Sequence, residues 1–215
     1  MLVLALDVTD RKRANEIAEI TSKYISAIKV NYPLVLSAGI RIIEELSELK
    51  PVIADFKISD IPYTSSLIAE IAFDSGADGI IVHGFAGSDT VSAVKKVAER
   101  HDGEVYVVTE LSSEGGTEFM AKHSDEIVEM AKRIGVHGII APATRAERVR
   151  ELREKAGRLK LLCPGIITQG GSIDEIMKAG ADGIIVGRAI YSSPSPEKEA
   201  EKISRLVQGC LKKYK

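Results

Sequence analysis

The sequence has no tryptophan and only two cysteines, so it is poor in the residues that build cysteine-rich sites. Cys163 and Cys210 form neither a CxxC motif nor a pattern with metal-ligand spacing. A cysteine-based metal site is therefore not expected. A low number of cysteines without a recognisable pairing pattern is typical of proteins in reducing compartments. The sequence therefore predicts a cytoplasmic location.

Long hydrophobic runs and blocks of one charge sign are also missing. The chain carries 29 basic and 31 acidic residues, a net charge of -2, and no basic block stands out. Nucleic acid and an anionic membrane are therefore not expected as partners. The apolar stretches are too short to span a bilayer, and "MLVLALDV" reaches Asp7 without the charged leader of a secretory signal.

What the sequence does contain is an internal repeat. "GADGIIV" occurs at 76–82 and again at 180–186, and a looser copy, "GVHGIIA", lies at 135–141. A helical pattern precedes each copy, and an apolar, β-branched run follows its first residues. Glycine suits the left-handed end of a helix, and such a run suits a strand buried on both faces. Each copy therefore indicates one unit, a helix followed by a strand.

Eight apolar runs are predicted to be strands, and amphipathic stretches of helical length separate them. Strict alternation of strand and helix predicts a parallel sheet. Eight units predict a closed (β/α)8 TIM barrel, here as a single α/β domain over residues 1–215. An open doubly wound sheet is the alternative, but its glycine-rich fingerprint is missing after the first strand, which reads "LDVTDRKR". The runs are 2–6, 27–30, 51–56, 79–83, 104–109, 138–141, 160–163 and 183–186.

Charged residues end the first three predicted strands. Functional groups of such barrels lie at the carboxyl ends of the strands, where this chain has Asp7, Lys29, Asp55 and Lys57. Asp55 and Lys57 are two residues apart, so they should share one strand face. A single Asp-x-Lys is more often an ordinary ion pair, but charges on three adjacent strands favour a functional cluster. Alternating signs allow four charges to share a partly buried site.

Lys57 is the residue of this cluster that we expect to take part in chemistry. A lysine can form a Schiff base, but that reaction needs the free amine. The flanking acids stabilise the ammonium form, so Lys57 is better suited to donate a proton.

Other titratable residues at the strand ends are predicted to be structural. His83 is expected to be packed and hydrogen-bonded, and Glu110 is expected to hydrogen-bond within the barrel rather than act as a base. His101, His123 and His137 lie in helical or turn contexts and are expected at the surface. No Ser–His–Asp set, Walker motif or metal-ligand cluster is evident in the sequence. No metal and no cofactor are therefore predicted.

The seventh and eighth predicted strands end in glycine-bearing loops. "PGIITQGGS" supplies Gly165, Gly170 and Gly171 before a predicted helix, and "VGRAI" supplies Gly187 and Arg188 before another. Backbone N–H groups at a helix start, with an arginine beside them, suit a phosphate dianion. Phosphate commonly binds at these two loops in this fold. The sequence therefore predicts a phosphorylated small molecule whose reacting end lies over the charged cluster.

Taken together, these segments resemble the orotidine 5'-phosphate decarboxylase family. "DFKISDIP" at 55–62 matches the Asp-x-Lys-x-x-Asp motif of that family, although related sugar-phosphate enzymes share this motif. The resemblance runs in order along nearly the whole chain and is strongest to the short, archaeal-type members. The other matching segments are "LALDV", "IKVNYPL", "IIVHG", "TELS", "PGIITQGG" and "VGRAIY".

The resemblance implies cofactor-independent conversion of orotidine 5'-monophosphate to uridine 5'-monophosphate and carbon dioxide, in de novo pyrimidine biosynthesis. It implies that Lys57 protonates the pyrimidine carbon that loses the carboxylate. Asp55 would lie beside the departing carboxylate and hold Lys57 in place. Lys29 and Asp7 would contact the ribose hydroxyls, and Ser112 would read the pyrimidine edge.

The resemblance also implies a homodimer and a set of further substrate contacts. Asp60, Ile61 and Thr64 would contact the substrate, with Asp60 and Thr64 reaching across the dimer interface into the partner's site. One segment departs from the family, since "SSEGGTEF" follows the fifth strand where many members carry proline or small apolar residues. The contacts implied for the phosphate end of the nucleotide are Pro164, Gly165, Gln169, Gly170, Gly187 and Arg188.

Three other functions are weighed against this one. Magnesium-dependent 3-keto-L-gulonate 6-phosphate decarboxylases and hexulose-6-phosphate synthases use an acid at the end of the second strand, where this chain has Lys29. Those enzymes also tend to carry a small residue and glycine where this chain has Ile61-Pro62. A non-catalytic, phosphate-ligand-binding barrel would be expected to have lost its charged residues. Triosephosphate-type isomerisation needs a glutamate base after the sixth strand, which reads "APATRAE".

Overall fold

A closed barrel of eight parallel strands forms the centre of the structure, a computed structural model in which residues 1–214 are described. Each strand pairs with the next along the chain, and β8 pairs with β1. The predicted TIM barrel is therefore confirmed, and every predicted run overlaps one strand. The strands are β1 (Leu2–Ala5), β2 (Ala27–Asn31), β3 (Val52–Ile58), β4 (Gly79–His83), β5 (Glu104–Val108), β6 (Gly138–Ile140), β7 (Lys160–Pro164) and β8 (Gly183–Val186).

Helices connect the strands and cover the outer face of the barrel. The strands are consequently buried on both faces, which is why they read as continuous apolar runs rather than alternating ones. Within residues 1–214, no helix has both the length and the apolar character needed to cross a bilayer. The helices are α1 (Arg11–Thr21), α2 (Tyr32–Ala38), α3 (Ile42–Ser47), α4 (Pro62–Asp74), α5 (Ser88–Arg100), α6 (Met120–Ile134), α7 (Ala146–Ala156), α8 (Ile173–Lys178), α9 (Arg188–Tyr191) and α10 (Pro196–Tyr214).

The first glycine of each sequence repeat ends the preceding helix in a left-handed conformation. Gly76, Gly135 and Gly180 have φ angles of +92°, +76° and +100°. Residues with a Cβ adopt such angles only at a cost, so glycine is the favoured residue there. The predicted helix ends are confirmed, and the repeat reflects a backbone requirement at three equivalent turns.

The third residue of each repeat accepts a hydrogen bond from the backbone of the neighbouring strand. His137 is the third residue of the copy at 135–141. Burial lowers the pKa of its side chain and so favours the neutral imidazole, whose Nδ1 can accept this hydrogen bond. His137 is therefore a half-buried structural residue, and the prediction that it lies at the surface is wrong. The contacts join Asp78 Oδ2 to Val52 N at 2.8 Å, His137 Nδ1 to Val105 N at 3.0 Å and Asp182 Oδ2 to Leu161 N at 2.9 Å.

The second glycine of each repeat begins an even-numbered strand and leaves room inside the barrel. Tyr106 is buried there, between Gly79 of β4 and Gly138 of β6. A methyl group on Gly138 would lie 2.8 Å from the Tyr106 ring and 2.6 Å from the carbonyl oxygen of Lys160. Real Cβ atoms do not approach so closely, so the large Tyr106 side chain on β5 requires a glycine at position 138.

We predict that Gly138→Ala lowers the free energy of unfolding by about 1–3 kcal/mol, because neither the strand backbone nor the packed ring can move away. Gly209→Ala is the matched control, since Gly209 lies exposed on α10 and its added methyl group meets nothing within 4 Å. That change should stabilise the protein by about 0.5–1 kcal/mol. Urea denaturation measures both, and equal effects of the two substitutions would contradict the packing argument.

Candidate active site

A cavity of about 200 Å³ opens at the carboxyl ends of the barrel strands. It is the place where the fold brings together groups from all eight strands and from several of the loops that follow them. Ten of the residues predicted from the sequence line it, on two opposite sides. They are Asp7, Lys29, Asp55, Lys57, Ser112, Pro164, Gly165, Gln169, Gly187 and Arg188.

Four of these residues form the predicted alternating charge cluster. Lys29 Nζ lies 2.7 Å from Asp55 Oδ2 and 3.6 Å from Asp7 Oδ1. Lys57 Nζ donates to both carboxylate oxygens of Asp55, at 2.8 Å each. Asp55 therefore bridges two ammonium groups, and Lys29 lies between two carboxylates.

The cluster keeps its charges although it is largely buried. Burial by itself would lower the pKa of Lys29, but the carboxylates of Asp55 and Asp7 outweigh burial and leave that pKa raised. Burial would likewise raise the pKa of Asp55, but Lys29 and Lys57 outweigh it and leave that pKa lowered. Mutual pairing thus holds both Lys29 and Asp55 in their ionised forms.

Asp7 differs from the other members of the cluster. Its Oδ1 is buried, yet it has no hydrogen-bond partner in the described part of the chain, because Lys29 Nζ is 3.6 Å away. A buried acceptor without a donor is costly. This oxygen is therefore well suited to accept a hydrogen bond from a hydroxyl group of a ligand.

Lys57 lies in an irregular part of β3. Ala54 pairs with Ile80 and Ile58 pairs with Val82, so β3 advances four residues while β4 advances two. Lys57 has a φ of +40°, an angle that costs a residue with a Cβ about 1–3 kcal/mol. The predicted meeting of Asp55 and Lys57 is confirmed, but the bulge aims the two side chains, and the regular alternation of a strand does not.

The opposite side of the cavity is built around Gly165, which has a φ of +99°. A methyl group at this position would lie 3.1 Å from the Thr144 side chain and 3.2 Å from both Ser112 Cβ and Gln169 Oε1. Three loops therefore meet here without space for a side chain at position 165.

Arg188 is exposed at the start of α9, and Gly187 is the residue before that helix. Within residues 1–214, no carboxylate lies within 4 Å of the Arg188 guanidinium. Its charge and the N–H groups at the helix start are consequently available to an anion at the cavity rim.

Four predicted substrate contacts lie outside the cavity of the single chain. They are Asp60, Ile61, Thr64 and Gly170. Asp60 Oδ1 accepts a hydrogen bond from the N–H of Ile61 at 2.7 Å, and the Ile61 side chain is 64% exposed. The first three belong to the segment that begins α4, on the outside of the barrel. Their predicted role across a dimer interface stays a prediction.

Three polar residues that the sequence argument did not choose also line the cavity: Asn31, Glu110 and Thr168. Asn31 follows Lys29 by two residues on β2, so strand periodicity could have identified it. Glu110 is completely buried and accepts hydrogen bonds from Arg145 and Arg148, as its predicted structural role requires. Thr168 belongs to the glycine-bearing loop after β7, where no sequence pattern distinguishes it from its neighbours.

His83 departs from its predicted role as a hydrogen-bonded residue. Its Nδ1 is buried, and no residue that the structure describes lies within hydrogen-bond distance of it. Burial, followed by the charge of Lys57, lowers the pKa of His83. The neutral imidazole is packed at the end of β4 and does not line the cavity.

We predict that Asp55→Asn lowers the free energy of unfolding by about 3 kcal/mol at neutral pH, because it leaves Lys29 buried beside a single distant carboxylate. The folded pKa of Asp55 lies below its ordinary value of 3.8, so its ionised form stabilises the fold above that pH. This contribution is lost as the pH falls through the folded pKa, and the two proteins should then converge.

Urea denaturation at a series of pH values, from neutral to below 3.8, measures the effect. Asp102→Asn is the control, because Asp102 is exposed and its substitution should change stability by no more than about 0.5 kcal/mol. A constant difference between Asp55→Asn and the unsubstituted protein down to the lowest pH would contradict the role of the Asp55 charge.

Comparison with known proteins gives relatives that bear the same name by sequence and by structure. The orotidine 5'-phosphate decarboxylase of Methanococcoides burtonii is 51% identical over 94% of this chain and 94% of its own length. The enzyme of that name from Pyrococcus furiosus is 48% identical over 97% of this chain and 98% of its own. The crystal structure of the Methanocaldococcus jannaschii enzyme, complexed with the inhibitor BMP, is 48% identical and superposes with a TM-score of 0.93. That superposition covers 96% of this chain and 97% of the other.

Residues 1–203 match the model of one protein family, and that match takes in every strand of the barrel and all ten predicted residues in the cavity. The chain therefore belongs to the orotidine 5'-phosphate decarboxylase / HUMPS family.

Proposed function

We propose that this chain decarboxylates orotidine 5'-monophosphate to uridine 5'-monophosphate in de novo pyrimidine biosynthesis, without a metal or other cofactor. The observation that carries the proposal is the ammonium of Lys57, bonded to both oxygens of Asp55 and facing a cavity whose far side suits a phosphate. Relatives that bear the name of this activity are 45–51% identical to the chain over at least 94% of its length. A cytoplasmic location fits such a biosynthetic enzyme and the two unpaired cysteines.

The chemical step requires a cation at a fixed position. Loss of carbon dioxide leaves a carbanion in the plane of the pyrimidine ring, where ring resonance does not delocalise the electron pair. An ammonium held beside that carbon stabilises the developing charge and then donates its proton. The Lys57 side chain is 37% exposed, towards the cavity, and Asp55 restricts its position. In this arrangement Asp55 lies beside the departing carboxylate.

The ribose is assigned to the inner part of the charge cluster. Asp7 Oδ1 is buried and lacks a hydrogen-bond donor in the described chain, which suits a ribose hydroxyl. Lys29 Nζ, fixed by Asp55, can donate to a second ribose oxygen. Ser112, on the opposite side of the cavity, reads the pyrimidine edge.

The phosphate is assigned to the loops after β7 and β8. Gln169 and Arg188 supply side-chain donors, and the segment from Gly187 into α9 supplies backbone N–H groups. Pro164, Gly165 and Gly170 give the first of these loops its shape. Binding energy gained at the phosphate, remote from the reacting carbon, is available to close the loops and exclude water during the reaction.

The family name also covers magnesium-dependent sugar-phosphate enzymes, and the end of β2 argues against that activity. Lys29 occupies this position and is held between Asp55 and Asp7. An ammonium there repels a divalent cation, and both carboxylates are already engaged or directed towards the ligand.

We propose in addition that the chain acts as a homodimer, with Asp60 and Thr64 reaching into the partner's site. The segments after β2, β3 and β4 expose large apolar side chains beside the mouth of the barrel. Leu36 is 81% exposed, Tyr63 is 73% exposed and Phe85 is also exposed. Exposed apolar groups on three consecutive connections suit burial against a second copy.

We predict that the protein consumes orotidine 5'-monophosphate in the presence of a chelator, and that Lys57→Ala lowers kcat/KM at least about 10³-fold, since it removes both the proton donor and the cation. Ultraviolet absorbance measures substrate loss. Lys198→Ala, an exposed change on α10, should leave kcat/KM unaltered. Activity that depends on added magnesium would favour the sugar-phosphate rivals. Binding of uridine 5'-monophosphate without turnover would favour a non-catalytic barrel.

We predict that two inactive variants, Lys57→Ala and Asp60→Ala, regain activity when mixed and allowed to exchange subunits. Each mixed dimer then contains one complete site, so statistical exchange restores about a quarter of the normal activity. The control mixture is Lys57→Ala with Asp55→Ala, whose lesions fall within one chain's cluster and should not complement. No recovery in the first mixture, with dimers formed, would argue against a role for Asp60 in the partner's site.

A further inference from the structure

Side chains from the segment after β6 hold the segment that carries Ser112. Arg145 Nη2 donates to the carbonyl oxygen of Leu111 at 2.6 Å, and Thr144 Oγ1 donates to that of Ser112 at 3.0 Å. Arg145 Nη1 lies 3.4 Å from the carbonyl oxygen of Ser113. Three successive carbonyl groups are therefore fixed from one side, and Ser112 lies at their centre.

Arg145 depends on one carboxylate for its charge balance. Among residues 1–214, the carboxylate within 4 Å of its guanidinium is that of Glu110, with Oε2 at 3.4 Å from Nη2. The Nε atom of Arg145 is buried without a partner in the same residues. The position of this guanidinium is thus set by Glu110 on one side and by the loop carbonyls on the other.

Glu110 is itself held firmly. It is 0% exposed, and its Oε1 accepts a hydrogen bond from Arg148 Nε. Arg148 also pairs with Asp125 on α6 and Glu151 on α7, so it keeps carboxylate partners if Glu110 is neutralised. Arg145 has no such substitute in the described chain. Loss of the Glu110 charge should therefore affect Arg145, which contacts the Ser112 segment, more than it affects Arg148.

A completely buried carboxylate is rarely a good way to gain stability, because its desolvation offsets much of the gain from pairing. Glu110 nevertheless lines the cavity and precedes Ser112 by two residues. Its arginine partners come from the end of the loop after β6 and from the first turn of α7, so the group connects the end of β5 to the segment that follows β6.

We propose that Glu110 is a positioning residue that fixes Ser112 through Arg145. The inference rests on the proposed function, in which Ser112 reads the pyrimidine edge. The carboxylate orients the guanidinium, and the guanidinium orients the carbonyl groups on both sides of Ser112. The hydroxyl of Ser112 then faces the polar edge of a pyrimidine ring. The part of the ligand that Glu110, Arg145 and Ser112 together recognise is the base, and not the ribose or the phosphate.

The test is Glu110→Gln, which keeps the size of the side chain and removes its charge. We expect kcat/KM for orotidine 5'-monophosphate to fall about 10- to 100-fold, the size of effect that a small misplacement of a contact group produces. The affinity for uridine 5'-monophosphate should fall with it. The affinity for ribose 5-phosphate, which lacks the base, should stay within about twofold of the original.

Glu104→Gln is the matched control, because Glu104 begins β5, at the end of the barrel opposite to Glu110, and pairs with Lys160. That change should alter stability without altering kcat/KM. If Glu110→Gln does not fold, Arg145→Lys supplies the test, since it keeps the positive charge beside Glu110 and removes the fork that spans the two carbonyl groups. An equal loss of affinity for ribose 5-phosphate and uridine 5'-monophosphate would overturn the proposal.

Combination with Ser112→Ala separates positioning from a structural effect. If Glu110 acts through Ser112, adding Glu110→Gln to Ser112→Ala should cost less than about twofold more. A full multiplicative loss would overturn the inference. A protein that binds uridine 5'-monophosphate but does not consume orotidine 5'-monophosphate would instead reject the proposed activity, and the two binding measurements would still decide the role of Glu110.

Discussion

The shared carboxylate of Asp55 is the interaction on which the site depends. A single buried side chain on β3 pairs with Lys29 from β2 and with Lys57 from its own strand, at 2.7–2.8 Å. Without the Asp55 carboxylate, the neighbouring ammonium groups of Lys29 and Lys57 would repel each other, and neither would have a fixed position. The barrel makes this pairing possible because neighbouring strands deliver their last residues to one rim. The electrostatic balance therefore follows directly from strand order.

The backbone adopts unusual φ angles at two positions that set the geometry of the site. Lys57 adopts a left-handed φ inside a bulge of β3, and Gly165 adopts a positive φ where three loops converge. The two positions face each other across the cavity, one on the charged side and one on the side suited to phosphate. Unfavourable conformations of this kind persist when the surrounding packing determines them, as the continuous core of the barrel does here.

Much of this arrangement follows from sequence patterns that report local requirements. The glycines of the repeat mark the helix ends, and the apolar runs mark strands buried on both faces, so the barrel and its rim could be predicted. Convergence of Asp7, Lys29, Asp55 and Lys57 followed from their places after neighbouring strands. The bulge at Lys57 could not be predicted, because it depends on how β3 and β4 pair.

The partners of Glu110 and the unpaired Nδ1 of His83 were equally hidden. Arg145 and Arg148 lie far along the chain from Glu110, and nothing in their spacing announces the contact. A single ring nitrogen without a hydrogen-bond partner leaves no pattern in a sequence.

The hydrogen bonds from the third repeat position have a consequence for how the molecule divides. Each one joins an odd strand to the even strand after it, β3 with β4, β5 with β6 and β7 with β8. Cuts between β4 and β5 and between β8 and β1 would sever none of them and would divide the barrel into two four-stranded halves. The charged cluster belongs to the first half, whereas Ser112 and the loops around Gly165 and Arg188 belong to the second. A nucleotide bound as proposed therefore contacts both halves and links them across boundaries that none of these three hydrogen bonds crosses.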